Sequence, residues 1–213
     1  MKKQVLLILC CLIGCGIERA TPILKPPVAG SAAESSDIFI FYNAIEDVKN
    51  IKYVKGIEIY YKFYNTIEEA NADYNIISYS TLITNKFWRV NRYTDNERIT
   101  KPLIDIPEEN KTGISKFTID FTSLTHVYIS AVPESGSSGV SFTDFPIYRG
   151  VLDENQVYKD FSSIKAGDAD IASIKDLTKE IYLAIYVFSY GVFELSPELY
   201  SAPVWLNKIQ LLY

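Results

Sequence analysis

Ile181-Tyr182-Leu183-Ala184-Ile185-Tyr186-Val187-Phe188-Ser189-Tyr190 is the stretch that decides the fold class. Alternate positions put Ile181, Leu183, Ile185 and Val187 on one side. Tyr182, Ala184, Tyr186, Phe188 and Tyr190 fall on the other. β-Branched and aromatic residues suit a pleated surface. A run that is apolar on both sides belongs to a strand covered on both faces, so this segment is expected at the centre of a sheet. Gly191 is expected to end it.

Other segments read as strands around it. Ile57, Ile59, Tyr61 and Phe63 alternate with Glu58, Tyr60, Lys62 and Tyr64, the period of a half-buried strand. Phe117, Ile119 and Phe121 alternate with Thr118, Asp120 and Thr122 in the same way. Ile38 to Tyr42, Phe87 to Tyr93, Val127 to Val132, Phe145 to Arg149 and Val204 to Leu212 complete the set. Two places read as helix. Thr66-Ile67-Glu68-Glu69 is a capping box, which predicts a helix of about ten residues from Ile67 with Ile67, Ala70 and Tyr74 sharing one face. Asp170 to Lys179 is the second. Pro133 to Thr143, with Gly136 and Gly139, reads as a loop. About eight to ten strands with little helix predict a mainly β fold, a β-sandwich with one or two short helices.

Composition narrows the function. The 213 residues carry 21 Lys+Arg against 26 Asp+Glu, a formal charge of −5. This acidic balance argues against non-specific nucleic-acid binding, which needs clustered cations to displace counterions. The three cysteines are Cys10, Cys11 and Cys15, so the rest of the chain can form neither a disulfide framework nor a zinc-thiolate site. The single His126 excludes a His-rich metal centre. Sixteen Tyr, eleven Phe and two Trp remain for the body. Tyr60, Tyr61, Tyr64, Tyr182, Tyr186 and Tyr190, with Trp88 and Trp205, are read as core and sheet-face packing before binding surface.

The N-terminus reads as an address. Lys2 and Lys3 precede the apolar run Val5 to Ile13, too short to span a hydrocarbon core of about 30 Å as a helix but suited to a signal peptide. Leu12-Ile13-Gly14-Cys15 resembles the lipobox of bacterial lipoproteins. The resemblance implies diacylglycerol on the Cys15 thiol, cleavage before it, and removal of residues 1–14 as signal peptide. With Lys2 and Lys3 gone, the −5 becomes −7. Gly16 in place of Asp favours the outer membrane by the enteric sorting rule. Residues 15–36, with Pro22, Pro26 and Pro27 among small polar residues, read as a lipidated flexible tether that would hold a body of residues 37–213 about 25 Å from the bilayer. The alternative is that this stretch packs along the body as an edge strand.

The body carries a second resemblance. Gly56-Ile57-Glu58-Ile59-Tyr60-Tyr61 resembles strand C of fibronectin type III domains. Leu177-Thr178-Lys179-Glu180-Ile181-Tyr182 resembles the turn into their strand F, with Tyr182 as the corner tyrosine. Ser201-Ala202-Pro203-Val204 resembles the entry to strand G. The resemblance implies an immunoglobulin/fibronectin III-like β-sandwich. Because about 120 residues separate the candidate strands C and F, it implies a large insertion or two interleaved sandwiches. The chain as a whole also resembles uncharacterised spirochaete lipoproteins, with a lipobox, a short tether and a Tyr/Ile/Lys/Asn-rich β body.

Motifs for chemistry are sparse. His126 enters a strand, and no Gly-x-Ser-x-Gly accompanies it. No phosphate loop or dinucleotide fingerprint is present, so no cofactor is expected. Asp120 on a strand, Asp144 in a loop, and Asp168 with Asp170 are the carboxylates a glycan hydrolase could pair. Asp168 and Asp170 are also weak calcium ligands, since Gly167-Asp168-Ala169-Asp170 equally suits a turn. The expectation is a lipid-anchored envelope lipoprotein with a non-catalytic binding or structural body. Its partners would be the membrane, through Cys15, and an unidentified protein or glycan. The alternatives are a surface adhesin for host matrix and an envelope glycan hydrolase.

Overall fold

The computed structural model describes residues 22–31, 37–76, 78–92, 102–193 and 196–211. These form eleven strands and two short α-helices. The first strands are β1 (Val28–Ala29), β2 (Ile38–Tyr42) and β3 (Val54–Tyr64). Helices α1 (Ile67–Ala72) and α2 (Tyr79–Thr84) follow, then β4 (Trp88–Arg89), β5 (Ile104–Asp105), β6 (Ser115–Asp120), β7 (Val127–Pro133) and β8 (Phe142–Ile147). The chain closes with β9 (Ile181–Phe193), β10 (Ser196–Tyr200) and β11 (Val204–Leu211). One sheet has the order β1-β2-β6-β7-β8. The other runs β10-β9-β3-β4, with β11 also on β9 and β5 on β3. Their pairings are antiparallel. The protein is mainly β, a two-sheet sandwich.

Strand β9 is central, as its two apolar faces require. It pairs with β3 from Val54↔Gly191 to Tyr64↔Tyr182, and with β11 and β10 on its other edge. Gly191 does not end it, since the strand continues to Phe193. A Cβ at Gly191 would lie 2.4 Å from the Tyr53 carbonyl oxygen, so this glycine admits a close backbone approach rather than a stop.

Between the sheets lie Phe39, Phe41, Phe117 and Ile119 from one side and Ile57, Ile59, Tyr61, Phe63, Leu183 and Ile185 from the other. Phe41 and Phe117 stack at 4.9 Å. The outer face of the second sheet is covered as well. Tyr60, Tyr64, Tyr186 and Phe188 pack there with Ala70, Ile76, Leu82 and Phe87, and with Tyr79, Tyr200 and Trp205. Strand β3 is therefore buried on both faces, although its alternation predicts one wet face. Long tyrosines tolerate either setting, and only the covering helices decide between them.

The helices differ from expectation in extent and place. Thr66 caps α1 through its side chain, accepting from the Glu69 N–H at 3.2 Å, but the helix is six residues long. Ala70 is buried, while Ile67 and Tyr74 stay exposed. In Asp170 to Lys179 the helical turn is a 3₁₀ segment, Ala169–Ile171. Helix α2, capped by Ser78, forms where the sequence shows no helical pattern among the expected elements. It ends in a paired-bond stop, with Phe87 N–H to Leu82 C=O and Lys86 N–H to Ile83 C=O, and Lys86 at φ 58°. Of the span Phe87 to Tyr93, Trp88–Arg89 forms a strand and Asn91 bridges to Tyr148, while Tyr93 lies outside the described residues. Strand β8 begins three residues before Phe145, which shortens the expected loop and places Asp144 on a strand.

The strands matched to C, F and G are β3, β9 and β11, which lie side by side in one sheet. Strands β4 to β8 intervene in sequence between β3 and β9, and they complete both sheets of one sandwich. Tyr182 forms no corner to upstream backbone. It is partly exposed, and its hydroxyl donates to Glu180 Oε2 at 3.1 Å. Residues 22–31, inside the span read as flexible tether, are docked on the body. Leu24 is buried, β1 pairs with β2, and Ser189 Oγ donates to the Lys25 carbonyl at 2.7 Å. One buried leucine and an edge pairing hold the segment despite its three prolines, because prolines are tolerated where a sheet ends.

Candidate functional site

Two polar clusters interrupt the apolar interior. The larger centres on Arg149, which is fully buried. Phe145, Ile147 and Arg149 are alternately buried, so the alternation of β8, carried two residues past its end, brings the guanidinium inward. Its Nε donates to Asp170 Oδ2 at 2.9 Å, and its Nη2 donates to Asp170 Oδ1 at 2.5 Å and to Asp168 Oδ2 at 2.8 Å. Nη1 donates to the Ser163 carbonyl at 3.1 Å. Lys159 Nζ binds the other oxygen of Asp168. Tyr61 donates to Asp170 Oδ2 at 2.6 Å and accepts from the Gly150 N–H at 2.8 Å.

These contacts set the protonation states. Burial alone pulls the Arg149 guanidinium down, but its hydrogen bonds to Asp170 and the carboxylate charge more than reverse this, leaving it above its ordinary value. Burial pushes Asp168 up, and the bonds from Lys159 and Arg149 outweigh it, so its pKa ends below the usual carboxylate value. Burial, reinforced by the charge of Asp170, holds the Tyr61 phenol well above its ordinary range.

Asp168 and Asp170 are thus brought together, but as partners of two cations. Arg149 and Lys159 balance two carboxylates, and a calcium ion would have to displace a buried guanidinium. Asp120 accepts from the Thr122 N–H at 2.8 Å, and Asp144 is exposed on β8. His126 is exposed, with its ring centroid 6.5 Å from that of Tyr128. Among the described residues no group of three or more His, Cys, Asp or Glu is placed to hold a metal.

The second cluster was hidden in the alternation of β3. Glu58 has no exposed side-chain surface. It accepts from Arg89 Nε at 2.5 Å and Nη2 at 2.9 Å, and from the Leu103 N–H at 3.1 Å. Burial pulls Arg89 down, but the Glu58 bonds and charge raise it overall. A charged residue flanked by Ile57 and Ile59 was a signal for a buried pair, but nothing local named Arg89, 31 residues away.

At the surface the distinctive region is one end of the sandwich. There the segment 22–26 is tied to the loop 43–50. The Lys25 N–H donates to Glu46 Oε1 at 2.5 Å, Lys25 Nζ donates to Asp47 Oδ1 at 2.8 Å, and Asn50 Nδ2 donates to the Ile23 carbonyl at 2.9 Å. Two open clefts flank the tie. One, of about 650 Å³, is lined by residues including Pro26, Val28, Tyr42, Ile45 and Ile114. The other, of about 630 Å³, is lined by Pro22, Ile23, Leu24, Lys49 and Tyr53 among others. Glu46 is buried beneath, with Oε2 unpartnered, and burial raises its carboxyl above the ordinary value despite the Lys25 N–H bond.

Leu12, Ile13, Gly14 and Cys15 lie outside the described residues. Among the described residues no helix is long and apolar enough to cross a membrane. No family model matches the chain, no curated protein is similar to it in sequence, and no solved structure matches its fold.

Proposed function

We propose that the chain is an envelope lipoprotein, held in the bacterial outer membrane by diacylglycerol on Cys15, whose β-sandwich body acts by binding or as structure and not by catalysis. The observation that carries the anchor is Leu12-Ile13-Gly14-Cys15 behind a basic start and a nine-residue apolar run. A thiol carrying two acyl chains, usually joined by a third on the amine, gives the two or more membrane signals that stable anchoring needs. The body has no other cysteine, so an acylated Cys15 leaves it no thiol nucleophile. Its most buried acidic side chains, Glu58 and Asp170, are spent on guanidinium groups, which supports a non-catalytic reading over glycan hydrolysis. Cys15→Ala is expected to move the protein from the membrane to the soluble fraction and to abolish incorporation of a fatty-acid probe. Unchanged labelling refutes the anchor.

A further inference from the structure

The apolar side chains left exposed are not scattered. Among the described residues ten large hydrophobic side chains are exposed, and six of them, Ile23, Val28, Ile45, Val48, Val132 and Val192, sit at one end of the sandwich. The register places them there. Val28 pairs with Tyr42, Tyr42 with Lys116, and Lys116 with Val132 in a row across the first sheet. Val192 follows Gly191, which pairs with Val54 at the start of β3, and its N–H donates to the Tyr53 carbonyl at 2.9 Å. Ile23, Ile45 and Val48 lie on the two segments tied by Lys25, Glu46 and Asn50. Val48 is 89% exposed and Ile23 82%. Exposed apolar side chains gathered in one region of a fold mark a surface for another molecule or for a membrane.

Chain length says what covers it. Six residues lie between Cys15 and Pro22, the first described residue, and the seven steps from one to the other reach at most about 25 Å. As a flexible chain they span about 15 Å. The far end of β3, by contrast, lies about 33 Å away along an eleven-residue strand. An acylated Cys15 therefore keeps the apolar end next to the lipid, at a high effective concentration, and leaves α1 and the start of β9 distant. Lys25 is neutralised by its bond to Asp47, and Lys49 and Lys52 are exposed beside the apolar side chains as cations suited to the headgroup region.

We infer that this end of the sandwich, led by Ile23, Ile45 and Val48, docks into the interface of the bilayer that holds the protein's own anchor, fixing the body upright with α1 pointing away. The inference rests on the lipoprotein reading and deepens it. The cysteine-free body makes it testable in the full lipidated chain. Val48→Cys and, at the far end, Glu68→Cys each receive an environment-sensitive fluorophore. The mature protein is then placed in phosphatidylethanolamine/phosphatidylglycerol vesicles carrying a quencher high on the acyl chains. A docked side chain sits about 5–10 Å into the headgroup boundary, so quenching at least about twofold stronger at position 48 than at 68 is expected. Ile23→Ser with Val28→Ser and Ile45→Ser in the position-48 protein should bring its quenching down to the position-68 level. Equal quenching at both sites, or quenching at 48 that survives the serines, overturns docking while the anchor stands. The mass of the purified protein reports the acyl chains on Cys15 separately, and their absence would sink the anchor and the docking together.

Discussion

Replacing Arg149 by Met tests how the interior is held together. The guanidinium makes three bonds to carboxylates and one to a carbonyl, and Asp170 has no exposed side-chain surface. Met fills most of the volume but leaves Asp170 charged, buried and supported only by the Tyr61 hydroxyl. Asp168 keeps Lys159. Removing one partner of a buried pair costs about 3–5 kcal/mol, and at about 2–4 °C per kcal/mol for a body of this size Tm should fall by about 6–20 °C. Urea denaturation followed by tryptophan fluorescence gives the free energy, and calorimetry gives Tm. Adding Asp170→Leu to the Met variant should recover most of the loss, because the orphaned charge goes too. About 1 kcal/mol would stay lost, since Tyr61 loses its acceptor. A fall below about 1 kcal/mol for Arg149→Met, or a double variant weaker than the single one, would refute the assignment of Arg149 as the counter-charge that makes these buried carboxylates tolerable. The pH profile adds a second check. The pKa of Asp168 is depressed in the folded state, so its contribution is complete above its unfolded value of 3.8 and is lost as pH falls through the lower folded value. The wild type should therefore lose stability below about pH 4 more steeply than the Met variant.

Three further substitutions probe other elements. Lys86→Gly should stabilise the body by about 0.5–1 kcal/mol in urea titration, because Lys86 holds the left-handed backbone at the end of α2 and glycine holds it without a Cβ penalty. Gly191→Ala should destabilise by more than 1 kcal/mol, roughly the scale of overpacking, since its Cβ meets the Tyr53 carbonyl at 2.4 Å. A silent outcome would mean that the β9–Tyr53 approach is loose. Glu46→Gln should be more stable than wild type at pH 7, with the gap closing as pH falls toward 4.5. The raised carboxyl costs stability only while it is ionised, and a gap that widens on acidification would contradict that sign.

How far the sequence speaks depends on whether the deciding contact is local. Ile181 to Tyr190 declares a strand covered on both faces within ten residues, and it lies at the sheet centre. The spans Ile38 to Tyr42 and Val127 to Val132 fall on β2 and β7, and Thr66 caps its helix, because alternation and a three-residue capping spacing are properties of the chain itself. The length of α1 was not legible. Its continuation past Ala72 would need burial for Tyr74, which is exposed and sets its ring against that of Trp205 at 5.7 Å. Gly191 shows the same limit, since a glycine that stops a strand and one that admits a neighbouring backbone look alike in sequence.

The candidate site follows this division. Asp168 and Asp170 are visible in the sequence as a pair of carboxylates, and two residues of separation suit a turn and only weakly a calcium site. Arg149 stands 19 and 21 residues away from them, and Tyr61 109 residues from Asp170, so the choice between a cation site and a closed ion cluster belonged to the sheet register. The sequence by itself determined the strand-rich class, the central strand, the cysteine-free body and the signals on which the anchor proposal stands. Tertiary structure decided which strand faces are dry, that residues 22–31 lie on the body, and that the exposed apolar side chains gather at one end. Hydrophobic periodicity records a residue's preference for burial, but burial itself is a property of whatever distant segment arrives to cover it.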